Sequence, residues 1–162
     1  MLSIVKFACG IICGCVLSQF PEYSQQYVQR MGGALDELTL VVSDFDTSAK
    51  SAGYTRGQAL EAMTGSAFLE ARQTDMKTTF TRFDMLKQDY TRLQNAGAFG
   101  RLSYVARMRD GDISKGTLAD FKPALPLSVD GAGFVGIGFL LGYMTLAGIM
   151  RLFFRPRKQV QA

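Results

Sequence analysis

The chain has 162 residues, 48% of them hydrophobic, with 18 Lys/Arg against 14 Asp/Glu and no His or Trp. A pI near 9.1 invites a nucleic-acid reading. However, residues 21–130 carry 13 Lys/Arg against 14 Asp/Glu, a net charge of −1, and the excess lies at the ends, in Lys6 and in Arg151, Arg155, Arg157 and Lys158. A nucleic-acid binder needs its positive field on the folded domain, so no nucleic-acid partner is expected. The three cysteines, Cys9, Cys13 and Cys15, all fall in the first apolar stretch. The middle of the chain therefore lacks the thiols for a disulfide, the commonest metal ligand and the commonest general base.

The first apolar stretch runs from about Leu2 to Phe20, so residues 1–20 read as a first transmembrane helix. Lys6 interrupts it near one end, where a long side chain can snorkel to the interface. A cleaved signal peptide ending near Val16-Leu17-Ser18 is an alternative, as is a lipoprotein signal at Ile12-Cys13-Gly14-Cys15. The cysteines are expected as small helix-packing residues.

Residues 21–127 read as a helical domain. Pro21 suits the end or kink of the first span and a first helical turn. From Glu22 onward Val28, Met31, Leu35, Leu38, Val42, Phe45, Ala49 and Ala52 recur three and four apart, a heptad seam with Gly53 as its C-cap. Thr55-Arg56-Gly57-Gln58 predicts a capping box for a short helix over Arg56 to Met63, and Gly65-Ser66 a break. A second long helix is predicted from Ala67 to Asn95. Its seam is Leu69, Met76, Phe83 and Tyr90, filled by Phe80, Leu86 and Leu93, and Asn95-Ala96-Gly97 closes it. Two seams of matching length on a short connector predict an antiparallel hairpin. A third helix is expected over Phe99 to Arg109, then a break at Asp110-Gly111-Asp112, a weak turn or two over Ile113 to Phe121, and an extended Lys122–Leu127.

Residues 128–154 hold the clearer span. Gly131 to Met150 is 20 uncharged residues, roughly 30 Å of helix and enough to cross the hydrocarbon core. Ser128 is placed to cap it and Asp130 to complement its dipole. The fold class is all-α: two transmembrane helices flanking an extramembrane antiparallel hairpin. Arg151, Arg155, Arg157 and Lys158, the last three in the tail 155–162, orient the second span with its C-terminus in the cytoplasm. Lys6 does the same for the N-terminus, which puts the central domain on the far side, the periplasm of a Gram-negative cell.

Several pieces resemble a family of small proteobacterial membrane proteins known as domain of unknown function 2937. They are Leu17-Ser18-Gln19-Phe20-Pro21-Glu22, Gln25-Gln26-Tyr27, Gly32-Gly33-Ala34-Leu35-Asp36-Glu37-Leu38, Phe68-Leu69 with Arg72, and Ala119-Asp120-Phe121-Lys122-Pro123-Ala124-Leu125-Pro126-Leu127. The glycine-rich second span fits as well. The resemblance implies an inner-membrane address and carries no activity or catalytic residue. Cys13-Gly14-Cys15 departs from the aliphatic first span expected there.

No catalytic, metal or cofactor-binding residue is assigned. Asp36/Glu37 and Asp44/Asp46 fall on the polar face of a heptad helix, where solvated charge is expected, and Asp110/Asp112 lacks the other ligands of a calcium loop and reads as a turn. The small residues are more suggestive. Gly138 and Gly142, Ala132 and Gly136, and Gly10 and Gly14 are each four apart, the spacing that lets helix backbones approach closely in lipid. Such pairs can pack the two spans of one chain together, pack one chain against another, or reflect the abundance of glycine in membrane helices. The expected function is a non-enzymatic structural or scaffolding protein of the inner membrane, in contact with the lipid bilayer and forming a homo-oligomer or joining a membrane-protein partner. The alternatives are an accessory subunit of a transporter or envelope machine, and a channel-forming oligomer.

Overall fold

The computed structural model describes residues 2–153, so Arg155, Arg157 and Lys158 lie outside the described residues. Among these residues the regular structure is entirely helical: α1 (Leu2–Leu17), α2 (Phe20–Ser51), α3 (Arg56–Glu61), α4 (Ala67–Gln94), α5 (Ala98–Ser103), a 3-10 turn (Val105–Arg107), α6 (Gly111–Ala119) and α7 (Val129–Phe153). They group into two compact units. One holds the chain up to Ser24 and from Phe121 onward, and the other holds Gln25–Asp120.

In the first unit, α1 and α7 pack as an antiparallel pair. Both are long and apolar enough to cross a membrane when α1 is counted together with the start of α2. The break between them has a local cause. Pro21 has no N–H for the Leu17 carbonyl, and its ring crowds that oxygen. The chain answers with a turn at Ser18-Gln19. The Gln19 N–H bonds the nearer Val16 carbonyl at 3.2 Å, and the Ser18 hydroxyl donates to the Cys15 carbonyl at 2.7 Å. The first helix therefore stops at Leu17, three residues short of the sequence expectation. The extended 121–127 segment is tied to this turn. The Ala124 N–H donates to Gln19 Oε1 at 3.1 Å, and Gln19 Nε2 donates back to the Ala124 carbonyl at 3.3 Å. Ser128 caps α7 by accepting from the Gly131 N–H at 3.0 Å.

In the second unit, α2 and α4 form the antiparallel hairpin. Gly32 faces Tyr90 while Phe45 stacks edge-on against Phe80 at 5.1 Å. α2 ends in a Schellman motif: Gly53 takes φ +78°, its N–H bonds the Lys50 carbonyl, and the Tyr54 N–H bonds the Ala49 carbonyl. The capping box of α3 forms as the sequence predicts. Ser66 caps α4 through the Leu69 N–H. Val28, Met31, Val42 and Ala49 of the first seam are buried, and so are Met76, Phe80, Leu86 and Leu93 on α4.

Four expectations fail. Ala52 and Leu69 are exposed, because only the short α3 covers the hairpin beyond that level. α4 does close at Asn95, its C-cap, but Gly97 has φ −66° and opens α5 rather than ending α4 with a left-handed residue. The single helix expected over Phe99 to Arg109 splits into α5 and the 3-10 turn. The break expected at Asp110-Gly111-Asp112 falls at 108–110 instead, and Gly111 and Asp112 already belong to α6. Asp110 is the N-cap of the nine-residue α6, its carboxylate accepting from the Asp112 and Ile113 N–H groups. An aspartate placed to cap a helix that buries Ile113 was present in the sequence, but a glycine between two aspartates reads first as a turn.

Candidate functional site

Two constructions stand out, one in each unit. The first is the seam between α1 and α7. A Cβ on Gly138 would meet the Cys13 carbonyl oxygen at 2.6 Å and Gly14 Cα at 2.8 Å. One on Gly14 would meet the Val135 carbonyl at 2.9 Å, and one on Gly142 would meet Cys13 Sγ at 2.7 Å and the Cys9 carbonyl at 2.9 Å. Gly10 lies under the Phe139 ring, which also meets Phe7 edge-on at 5.2 Å. Backbone touches backbone along this seam, and only glycine permits it. Of the readings left open by the sequence, packing within one chain is therefore the one adopted by Gly10, Gly14, Gly138 and Gly142. Gly136 meets nothing within 4 Å and Ala132 is exposed, so this pair faces away from α1. Lys6 places its ammonium 5.6 Å from the centre of the Tyr143 ring, so it is drawn toward α7. Arg151 sits exposed in the last turn of α7.

The second construction holds the 105–112 segment on the hairpin. Arg82 and Asp89 lie seven apart on α4, hence on one face. Asp89 is fully buried, and its two oxygens accept from Arg107 Nη1 at 2.8 Å and Arg109 Nε at 2.9 Å. Arg82 donates through Nε and Nη2 to the two oxygens of Asp110 at 2.9 and 3.2 Å. The Asp110 N–H donates to the Tyr27 hydroxyl of α2 at 3.2 Å. α4 thus offers a cation and then an anion, and the facing segment offers two cations and then an anion, in matching order. This polarity fixes the register of α6 on the hairpin. Further along α6, Arg30 donates to the Gly116 carbonyl at 3.0 Å and to Asp120 at 2.7 Å.

Burial pushes the Asp110 carboxyl up. The Arg82 guanidinium and the two backbone N–H groups outweigh it, and the group is held below the usual carboxylate range. Near the hairpin end, hydrogen bonding from Arg56 lowers Asp46 in the same way, and Arg56 also covers the Phe80 ring at 4.6 Å. Among the described residues no buried side-chain polar atom lacks a hydrogen bond and no cluster of three metal-ligating side chains occurs. Sequence reading missed Asp89, Arg82, Arg107 and Arg109. Each is a lone charge on a polar-looking face, and only the tertiary fold brings them together. The one available signal was the spacing of Arg107, Arg109 and Asp110 in a short connecting segment.

Neither a curated protein nor a solved structure matches this chain. A family model matches residues 1–159, nearly the full length that carries both the glycine seam and the charge lock. The chain belongs to the DUF2937 family of proteins of unknown function.

Proposed function

We propose that this protein is a non-enzymatic, integral component of a bacterial inner membrane, a structural or scaffolding element that self-associates through its helices. The observation that carries the membrane reading is the exposure left after α1 and α7 have packed. Only 17% of each apolar window is buried, and Ile4, Val16, Met144 and Leu152 remain open. Water would penalise that surface at about 25 cal/mol per Å², whereas lipid would not. Lys6 and Arg151 support cytoplasmic ends, with the helical domain on the opposite, periplasmic side. The non-enzymatic reading is supported by the state of the buried carboxylates: Asp89 and Asp110 are already engaged by arginines.

The test is extraction and topology together. Membrane pellets washed with alkaline carbonate should retain the chain, and reporter fusions at Lys50 and Gln94 should report the side opposite a fusion after Ala162. Release by carbonate, or cytosolic reporters at Lys50, would overturn the reading. An accessory subunit of a larger membrane complex is the second reading. It is favoured by the outward Ala132/Gly136 pair, which is free to take a different helix. Co-purification from native membranes separates the two: a stoichiometric unrelated partner supports the second.

A further inference from the structure

Segment 121–127 crosses the end of the α1–α7 pair with one side turned in and the other left open. Phe121 meets Tyr23 edge-on at 6.1 Å, and the Ala124 backbone is bound to Gln19 in both directions. Pro126 packs on the first turn of α7, where a Cβ on Gly131 would meet Pro126 Cβ at 2.9 Å. Alternate residues of an extended chain face opposite ways, so Leu125 and Leu127 stand outward. They are 79% and 89% exposed, and Val129, which opens α7, is 90% exposed. The backbone here makes little demand on water. Pro123 and Pro126 have no N–H, and the Leu127 N–H bonds the Leu125 carbonyl at 2.8 Å.

We infer that Leu125, Leu127 and Val129 form a ledge that enters the boundary between lipid headgroups and acyl chains, on the side of the bilayer opposite Arg151. Segment 121–129 is then a third lipid-binding element, lying in the membrane surface rather than crossing it. The inference rests on the membrane reading proposed above, and helix length supplies the depth. Counted back from Arg151, the 20 uncharged residues to Gly131 account for the roughly 30 Å of hydrocarbon. Val129 lies about 3 Å beyond, within a headgroup layer about 5–8 Å thick. The α1 helix gives the same level. Gly14 backs on Val135 and Gly138, so the Ser18-Gln19 turn comes level with the first turn of α7, and that turn holds Ala124. Irregular backbone is excluded from hydrocarbon, which keeps the segment at the boundary and no deeper. Val129 also begins the open face of α7 that carries Leu140 and Met144, and on the membrane reading this face meets acyl chains. Residues 121–130 hold one cation, Lys122, and one anion, Asp130, so the ledge enters by its apolar side chains and needs no anionic lipid.

The chain has no tryptophan, so a single one reports its own surroundings. The experiment places the full chain in phosphatidylcholine vesicles as Leu125→Trp, Leu127→Trp and, as a depth standard on α7, Leu140→Trp. All three positions are exposed, and circular dichroism checks that helicity is kept. The vesicles carry a nitroxide quencher either high on the acyl chain or near its end. Both ledge tryptophans should emit to the blue of tryptophan in water and be quenched severalfold more by the shallow nitroxide, and Leu140→Trp more by the deep one. Because tryptophan itself favours the interface, the wild type is also footprinted with hydroxyl radicals. Leu125 and Leu127 should be oxidised severalfold less than Leu40, which is 64% exposed on α2. If Leu140→Trp answers the deep nitroxide while the ledge stays open to aqueous iodide and is oxidised like Leu40, the inference falls and the membrane reading stands. Ledge tryptophans shielded from nitroxide and iodide alike are covered by protein, which also overturns it. If neither nitroxide quenches Leu140→Trp, the ledge and the membrane reading fall together.

Discussion

Removing the cations around Asp89 should cost far more than removing Asp89 itself. The Asp89 side chain is 1% exposed in the wild type, and the double variant Arg107→Ala/Arg109→Ala leaves this carboxylate with neither guanidinium to neutralise it. Stranding one charge of a buried pair costs about 3–5 kcal/mol. In Asp89→Asn the situation is reversed. The arginines left behind have side chains 31% and 52% exposed, so water can take over their hydration. Their side of the pair is screened and contributes little on its own. The amide keeps one acceptor, and the expected loss is about 1–2 kcal/mol, between an ordinary hydrogen bond and one to a charged group.

Since a unit of this size shifts by roughly 4–8 °C per kcal/mol, the double variant should melt about 15–30 °C lower and Asp89→Asn about 5–15 °C lower. Thermal unfolding followed by far-ultraviolet circular dichroism in detergent reads the global loss. Hydrogen exchange over α5 and α6 reads where it begins, because these residues should lose protection first. Equal losses in the two variants, or a loss below about 1 kcal/mol in the double variant, would refute the view that Arg107 and Arg109 offset the cost of burying Asp89.

Three further outcomes follow from the same geometry. Asp110 has its folded pKa held below that of the unfolded chain, so the unfolded chain takes up the proton first as pH falls. Its stabilisation is complete above about pH 4 and drains below that, so Asp110→Asn should flatten the acid side of a melting-temperature profile while lowering its neutral plateau. Gly138→Leu drives a side chain into the Cys13 carbonyl, which is backbone and cannot swing aside, and should destabilise the helix pair by about 1–3 kcal/mol. Maleimide labelling of Cys13 in detergent should then accelerate severalfold, whereas Gly136→Leu, which meets nothing, should leave it unchanged. Tyr27→Phe removes the hydroxyl acceptor of the Asp110 N–H and should cost about 1–3 kcal/mol, measured by the same melts.

Local chemistry was legible where the cause is local. The Schellman ending at Gly53, the box at Thr55 and Gln58, the cap at Ser66 and the start of α7 after Ser128 depend on residues close to one another in the chain. Periodicity revealed both seams, because a stripe three and four apart has to be buried somewhere. It erred at Ala52 and Leu69, since a stripe shows which face is apolar and not how far along the helix a covering element reaches. The glycine pairs were legible as close-approach sites, but the same four-residue spacing serves contacts within and between chains. Asp89 was hidden for a different reason. Its partners are 18 and 20 residues away, and on a helix of mixed charge nothing separates an inward aspartate from a solvated one until α5 and α6 are placed.

Lys6 shows how the pairing of α1 with α7 changes the meaning of a residue. Read alone, it sits near one end of an apolar stretch and snorkels outward. Paired, it lies over Tyr143, and Arg151 is eight residues further along α7, about 12 Å at 1.5 Å per residue. On the membrane reading proposed above, its ammonium is held on the order of 10 Å inside the polar boundary, where a bare lysine costs up to the roughly 3 kcal/mol it would cost at the helix centre. A desolvated cation over an aromatic face recovers about 2 kcal/mol of this, and the ring face rather than the hydroxyl provides it. Tyr143→Phe should therefore be nearly neutral in unfolding from mild into denaturing detergent, Tyr143→Leu should lose about 1–2 kcal/mol, and Lys6→Met should restore the leucine variant. If phenylalanine and leucine behave alike at position 143, the ring is not what holds the charge, and Lys6 must reach water by another route.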